Sequence, residues 1–184
     1  MLLSREGARF GRAYYLCSEC KSIHLQPVDN LQISPTPATV LSSGPAWLDV
    51  ERIALVEVTS EEDGYPIESA LIGEENRGWR AANSGTQTIR LIFEEPQKLR
   101  RIWLVFEDSE NARTQEFVLR WSPDSGNSFR EIVRQQWNFS PPDSVREVED
   151  YAVELSTVTA LELIIVPDKS GGAARASLAS LRLA

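Results

Sequence analysis

Apolar and polar residues alternate along most of the chain after residue 46. In residues 88–94, Ile89, Leu91 and Phe93 fall on one face and Arg90 on the other. That two-residue period marks a half-buried strand, and Pro96 is read as its end. Residues 99–106 repeat the pattern, with Ile102, Leu104 and Phe106 set against Arg101, Trp103 and Val105. Further strands are expected at residues 53–58, at 116–122 with Phe117, Leu119 and Trp121 on one side, and at 129–137. Tyr151, Val153 and Leu155 mark another, as do residues 161–166 and 178–183.

The segment Ser122-Pro123-Asp124-Ser125-Gly126-Asn127 is dense in turn formers and predicts a hairpin between its flanking strands. Only residues 66–72, opened by Pro66, suggest a helix, of barely two turns. No strand–helix–strand repeat is present. The expectation is an all-β protein: an antiparallel β-sandwich of jelly-roll type with about eight strands. Residues 34–46, rich in Pro, Ser, Thr and Gly, read as a linker. The division is therefore a short N-terminal arm with its linker at 1–45 and the sandwich at 46–184.

Composition changes this picture little: 42% hydrophobic and 25% charged residues are ordinary for a globular chain. Charge changes it more. The net charge is -8, and the excess of acid lies after residue 45. Nucleic acid and anionic membranes both call for a cationic surface, so neither is expected as a partner. No stretch approaches a membrane span, and residues 1–15 lack the pattern of a secretory signal, which makes a cytoplasmic location the expectation.

Little in the chain points to catalysis. Its single histidine, His24, lies in the arm, and no pair of carboxylates stands out for acid–base work. Cys17-x-x-Cys20-x-x-x-His24 has spacing suited to zinc, but a structural site needs a fourth ligand, and no other Cys or His exists. These residues are read as free cysteines and a surface histidine; the weaker alternative is a zinc site completed by Asp29, a water or a second protomer. No cofactor is expected. The tryptophans Trp79 and Trp121 are read as core, Trp47 as a residue that pins the arm, and Trp103 and Trp137 as open to either face.

The segment Ala70-Leu71-Ile72-Gly73-Glu74-Glu75-Asn76-Arg77-Gly78-Trp79 resembles a stretch of the discoidin family, also called the factor V/VIII type C or galactose-binding-like domain. Gly73, Asn76 and Trp79 match the family's glycine, asparagine and tryptophan. The hairpin Ser122 to Phe129 is similar to a second family motif, with Phe129 where tryptophan is usual. The resemblance spans residues 50–184 and implies the same sandwich. It also implies a structural calcium, but Ile72 stands where a family aspartate often helps hold that ion. Glu74 and nearby carbonyls remain as oxygen ligands.

Family members meet ligands through loops at one end of the sandwich. Carried over by position, these loops are residues 61–66, 74–78 and 107–113. The candidate ligand-binding residues are Glu62, Asp63, Tyr65, Glu74, Asn76, Arg77, Asp108, Asn111 and Arg113. Carboxylates, amides and an arginine suit hydroxyl-rich ligands, and equally a basic protein surface. Tyr65 is the one aromatic at the loop tips, which disfavours membrane insertion. The expected function is a non-catalytic binding module for carbohydrate. The alternative is a protein-interaction or homo-oligomerisation module, with an apolar patch around Trp103 and Val105.

Overall fold

Residues 46–72 and 77–184 are described by the computed structural model. They form two single-turn helices and eight strands: α1 (Val50–Ile53), β1 (Ala54–Val58), α2 (Glu68–Leu71), β2 (Trp79–Ser84), β3 (Gln87–Glu107), β4 (Arg113–Ser122), β5 (Arg130–Phe139), β6 (Arg146–Val166), β7 (Arg175–Leu178) and β8 (Ser180–Leu183). The arm and linker expected at 1–45 lie outside the described residues.

The two 21-residue strands, β3 and β6, organise the fold. They pair antiparallel in two stretches separated by register shifts near residues 92–101. The first half of β3 and the second half of β6 form one layer with β1, β4 and β5. Their other halves form a second layer with β8. The layers must face each other. Phe106 pairs with Glu147 at one end of β6, and Phe117 pairs with Ile165 at the other. A straight strand would hold those ends about 60 Å apart at ~3.3 Å per residue. Yet the Phe106 and Phe117 rings stack with centroids 5.0 Å apart. The sheet therefore folds over into a sandwich, and Ile89, Leu91, Ile102, Leu104, Leu119, Leu161, Leu163, Leu181 and Leu183 fill the space between its layers.

Pro96 does not end a strand; it sits at the bend inside β3. The pairing there is irregular, with no registered partner for residues 93–96 in β6. A residue without an N–H costs little at such a place. Residues 151–155 and 161–166 are likewise one strand, β6, and not two. The helix expected over 66–72 shrinks to the single turn of α2. β2 was not expected; it pairs with β7 in a separate ribbon. The patch foreseen around Trp103 and Val105 is not open: Val105 is 3% exposed, and Trp103 is half-buried beneath the Arg101 guanidinium. Trp137 packs against the core. Trp47 lies under Arg101 and Arg182.

Candidate functional site

The β2–β7 ribbon shows how alternation builds one wall of a site. Trp79 and Ala81 point into the core, as do Ala176 and Leu178. The intervening residues must face the other way. Those are Arg80 on β2 and Arg175 and Ser177 on β7, with Arg80 directly opposite Ser177. The ribbon can lie this close because residue 78 is glycine. It has φ +69°, and a Cβ there would sit 2.6 Å from the Leu178 carbonyl oxygen.

Arg80, Arg175 and Ser177 line a cleft of about 390 Å³. The facing wall is the loop of residues 108–112 that joins β3 to β4, together with Asp168 and residues 173–174 after β6. This volume suits a small ligand.

Each loop is fixed by an aspartate. Asp108 Oδ1 accepts the backbone N–H groups of Glu110 and Asn111 at 2.9 and 3.0 Å, and its Oδ2 accepts Arg113 Nε at 2.6 Å. Burial alone would raise the Asp108 pKa, but these donors and the Arg113 charge outweigh it and hold the group below its ordinary value. Asp168 works in the same way. Ser170 donates through both hydroxyl and backbone, at 2.6 and 2.9 Å, and Gly172 N–H donates at 3.2 Å. Those bonds, led by the Ser170 hydroxyl, lower its pKa. A Cβ at residue 172 would meet the Asp168 carboxylate, which would have to shift.

Arg113 lines the cleft and also supports it, with a side chain only 1% exposed. Besides Asp108 it bonds Gln115 Oε1 at 2.9 Å and the Pro167 carbonyl, and it lies over the Phe139 ring. It thereby ties both loops to the sandwich end. In the same interior sits Glu147, 1% exposed, with neither carboxylate oxygen hydrogen-bonded among the described residues. Burial, then the Glu149 carboxylate two residues on, push its pKa up to about 8, against the pull of Arg113. Glu149 itself accepts the Tyr151 hydroxyl at 2.6 Å.

The other sequence candidates divide. Asn111 is exposed on the cleft. Glu62 stands behind the ribbon wall, accepting Arg175 Nη1 at 2.8 Å, with Arg80 Nη1 3.7 Å away. Tyr65 is not a projecting tip: it is half-buried, its ring 4.4 Å beneath the Arg80 guanidinium. Asp63 and Arg77 are exposed and do not line the cleft. Glu74 and Asn76 lie outside the described residues, as do Gly73 and the group Cys17, Cys20 and His24. Sequence reasoning missed Arg80, Asp168, Arg175 and Ser177. The in–out alternation Trp79-Arg80-Ala81 was the available signal for the first.

For metals, Ile72 is exposed and offers no ligand atom. Among the described residues no cluster of three or more His, Cys, Asp or Glu side chains could hold an ion. Glu74 and the neighbouring carbonyls, the oxygen ligands that the resemblance offered for calcium, lie outside the described residues. Among the described residues no helix is long and apolar enough to cross a membrane.

Comparison with known proteins bears on this frame. The model of the F5/8 type C domain matches residues 56–180. No curated protein matches the chain. Among solved structures, similarity extends to a family 32 carbohydrate-binding module of Clostridium perfringens NanJ in complex with galactose. The TM-score is 0.57 at 15% identity, over 74% of this chain and 96% of that one. A second module from Clostridium perfringens, in complex with GalNAc-β-1,3-galactose, gives 0.55 at 22% identity over 75% and 99%. The family 32 module of AlyQ, in complex with 4,5-unsaturated mannuronic acid, gives 0.55 at 15% identity over 76% and 98%. At these identities the likeness is one of fold.

Proposed function

The chain belongs to the F5/8 type C domain family, and on that frame we propose that it is a non-catalytic module that binds carbohydrate in the cleft between the β2–β7 ribbon and the 108–112 loop. The observation that carries this reading is the state of the polar groups there. Asp108 and Asp168 have their oxygens filled by donors of their own loops, so the cleft walls are fixed before any ligand arrives. Preorganisation of this kind lowers the ordering cost of binding. Arg80, Asn111 and Arg175 then supply donors to ring hydroxyls. The structural neighbours include modules in complex with galactose and GalNAc-containing sugars, which supports the same class of ligand.

The protein-interaction alternative called for an open apolar face around Trp103 and Val105, and the burial of Val105 removes its clearest footing. Titration calorimetry with galactose, N-acetylgalactosamine and galacturonic acid tests the proposal. Saturable binding is expected for at least one of them. It should weaken about tenfold in Arg80→Ala, the scale of one lost charged hydrogen bond. Silence with all of these sugars, from protein shown to be folded, would refute it.

A further inference from the structure

The donors and acceptors of the cleft are out of balance. Asp108 and Asp168 between them accept six hydrogen bonds from their own loops and from Arg113. They have little capacity left for a ligand. The ribbon wall is the reverse. Arg80 and Arg175 each carry five N–H donors. Among the described residues Arg175 spends one of them, on Glu62, and the Arg80 side chain spends none in a hydrogen bond. Arg80 is held by stacking on Tyr65, which orients the guanidinium plane without using its donors. Both side chains remain about a third exposed, at 34% and 38%.

Charge follows the same division. One carboxylate, Glu62, serves two guanidiniums, and it is the less exposed partner in both contacts. The ribbon wall therefore keeps one unmatched positive charge, and it faces two lining carboxylates, Asp168 and Glu110, that form no salt bridge among the described residues. On the facing loop Asp108 is paired with buried Arg113. Glu110 is the one exposed carboxylate there that takes no hydrogen bond among the described residues.

We propose that this cleft selects a sugar bearing a carboxylate, with Arg175 receiving the anion and Arg80 completing the wall across Glu62. The inference rests on the carbohydrate reading and narrows it. A guanidinium matches a carboxylate in shape, offering two parallel N–H donors to its two oxygens. A neutral sugar would leave those donors underused.

The test compares galacturonic acid, its methyl ester and galactose by titration calorimetry. The ester keeps the ring and removes the charge. The acid is expected to bind at least about tenfold tighter than the ester, the scale of a charge-assisted hydrogen bond. That advantage should shrink as salt rises from about 0.05 to about 0.5 M. Arg175→Gln should bring acid and ester close to equal by weakening the acid far more than the ester, with folding checked by thermal melting. Arg80→Gln serves as a second variant, because it leaves the Arg175–Glu62 bond in place; it should lower the acid's advantage by a smaller factor. Equal binding of all three ligands overturns the selectivity and leaves the carbohydrate reading standing. Binding of none of them overturns the selectivity, and silence with N-acetylgalactosamine as well overturns both. An advantage for the acid that survives Arg175→Gln and Arg80→Gln overturns the assignment to this wall.

Discussion

Replacing Glu147 by Gln should make the protein more stable at alkaline pH and remove a pH dependence that the native chain carries. Glu147 lies on the inward face of β6 and is 1% exposed. Its pKa rises from 4.5 to about 8, chiefly through burial and then through the charge of Glu149. In the unfolded chain the group loses its proton near its ordinary value. Between pH 4.5 and 8 the native state thus holds a proton that the unfolded state has released. Stability falls through that window and levels off above it. One proton sets a ceiling of ~1.4 kcal/mol per pH unit. Relaxation around the ionised group reduces this, so a loss of about 2–4 kcal/mol between pH 5 and 9 is expected. Gln has nearly the same volume and does not titrate. Urea unfolding followed by tryptophan fluorescence, at pH 5, 7 and 9, would measure both proteins. At pH 5 the two should be within about 1 kcal/mol, since each presents a neutral polar side chain. At pH 9 the variant should exceed the native protein by about 2–4 kcal/mol. Parallel stability curves for the two proteins would refute the reasoning.

Two further substitutions probe the frame of the cleft. Gly78→Ala should destabilise by about 3 kcal/mol and lower the melting temperature by roughly 10 °C, because it adds a Cβ where φ is +69° and the Leu178 carbonyl is 2.6 Å away. Gly171→Ala is the control: its φ is similar, at +81°, but nothing lies within 4 Å, so a cost of about 1 kcal/mol is expected. Equal melting shifts would show that contact with β7 is not what requires glycine at 78. Asp108→Ala removes the partner of an arginine that is 1% exposed and should cost about 3 kcal/mol in urea unfolding. The same variant should weaken sugar binding, since the 108–112 loop loses both of the backbone bonds that Asp108 holds; unchanged affinity would mean the loop is ordered by other means.

Where strands carry strict alternation, the chain could be read directly. The two halves of β3, the β4–β5 hairpin and the later half of β6 follow from single-residue in–out patterns and from the turn at Pro123-Asp124-Ser125-Gly126. β2 escaped because Ala82, Asn83 and Ser84 carry no such pattern and are all exposed. Its strand character comes from β7, a partner far along the chain. The same long-range pairing hid half of the cleft. Asp108 and Asn111 were reachable through the family's loop positions, whereas Arg80 and Arg175 are flanking charges until the ribbon sets them side by side. The sequence loops alone read as acidic. The wall that faces them is cationic, and only the fold brings the two together. Arg113, a loop arginine that reads as a ligand donor, lines the cleft and at the same time is drawn inward to neutralise Asp108.

The two faces of the β2–β7 ribbon answer to separate demands. Trp79, Ala81, Ala176 and Leu178 are held by the core, so their substitution is tested by folding. Arg80, Arg175 and Ser177 project from the opposite face, where a change costs little packing. A ribbon of this kind lets ligand preference drift while the scaffold stays constant. Libraries confined to positions 80, 175 and 177 should therefore yield mostly folded variants that differ in the sugars they retain.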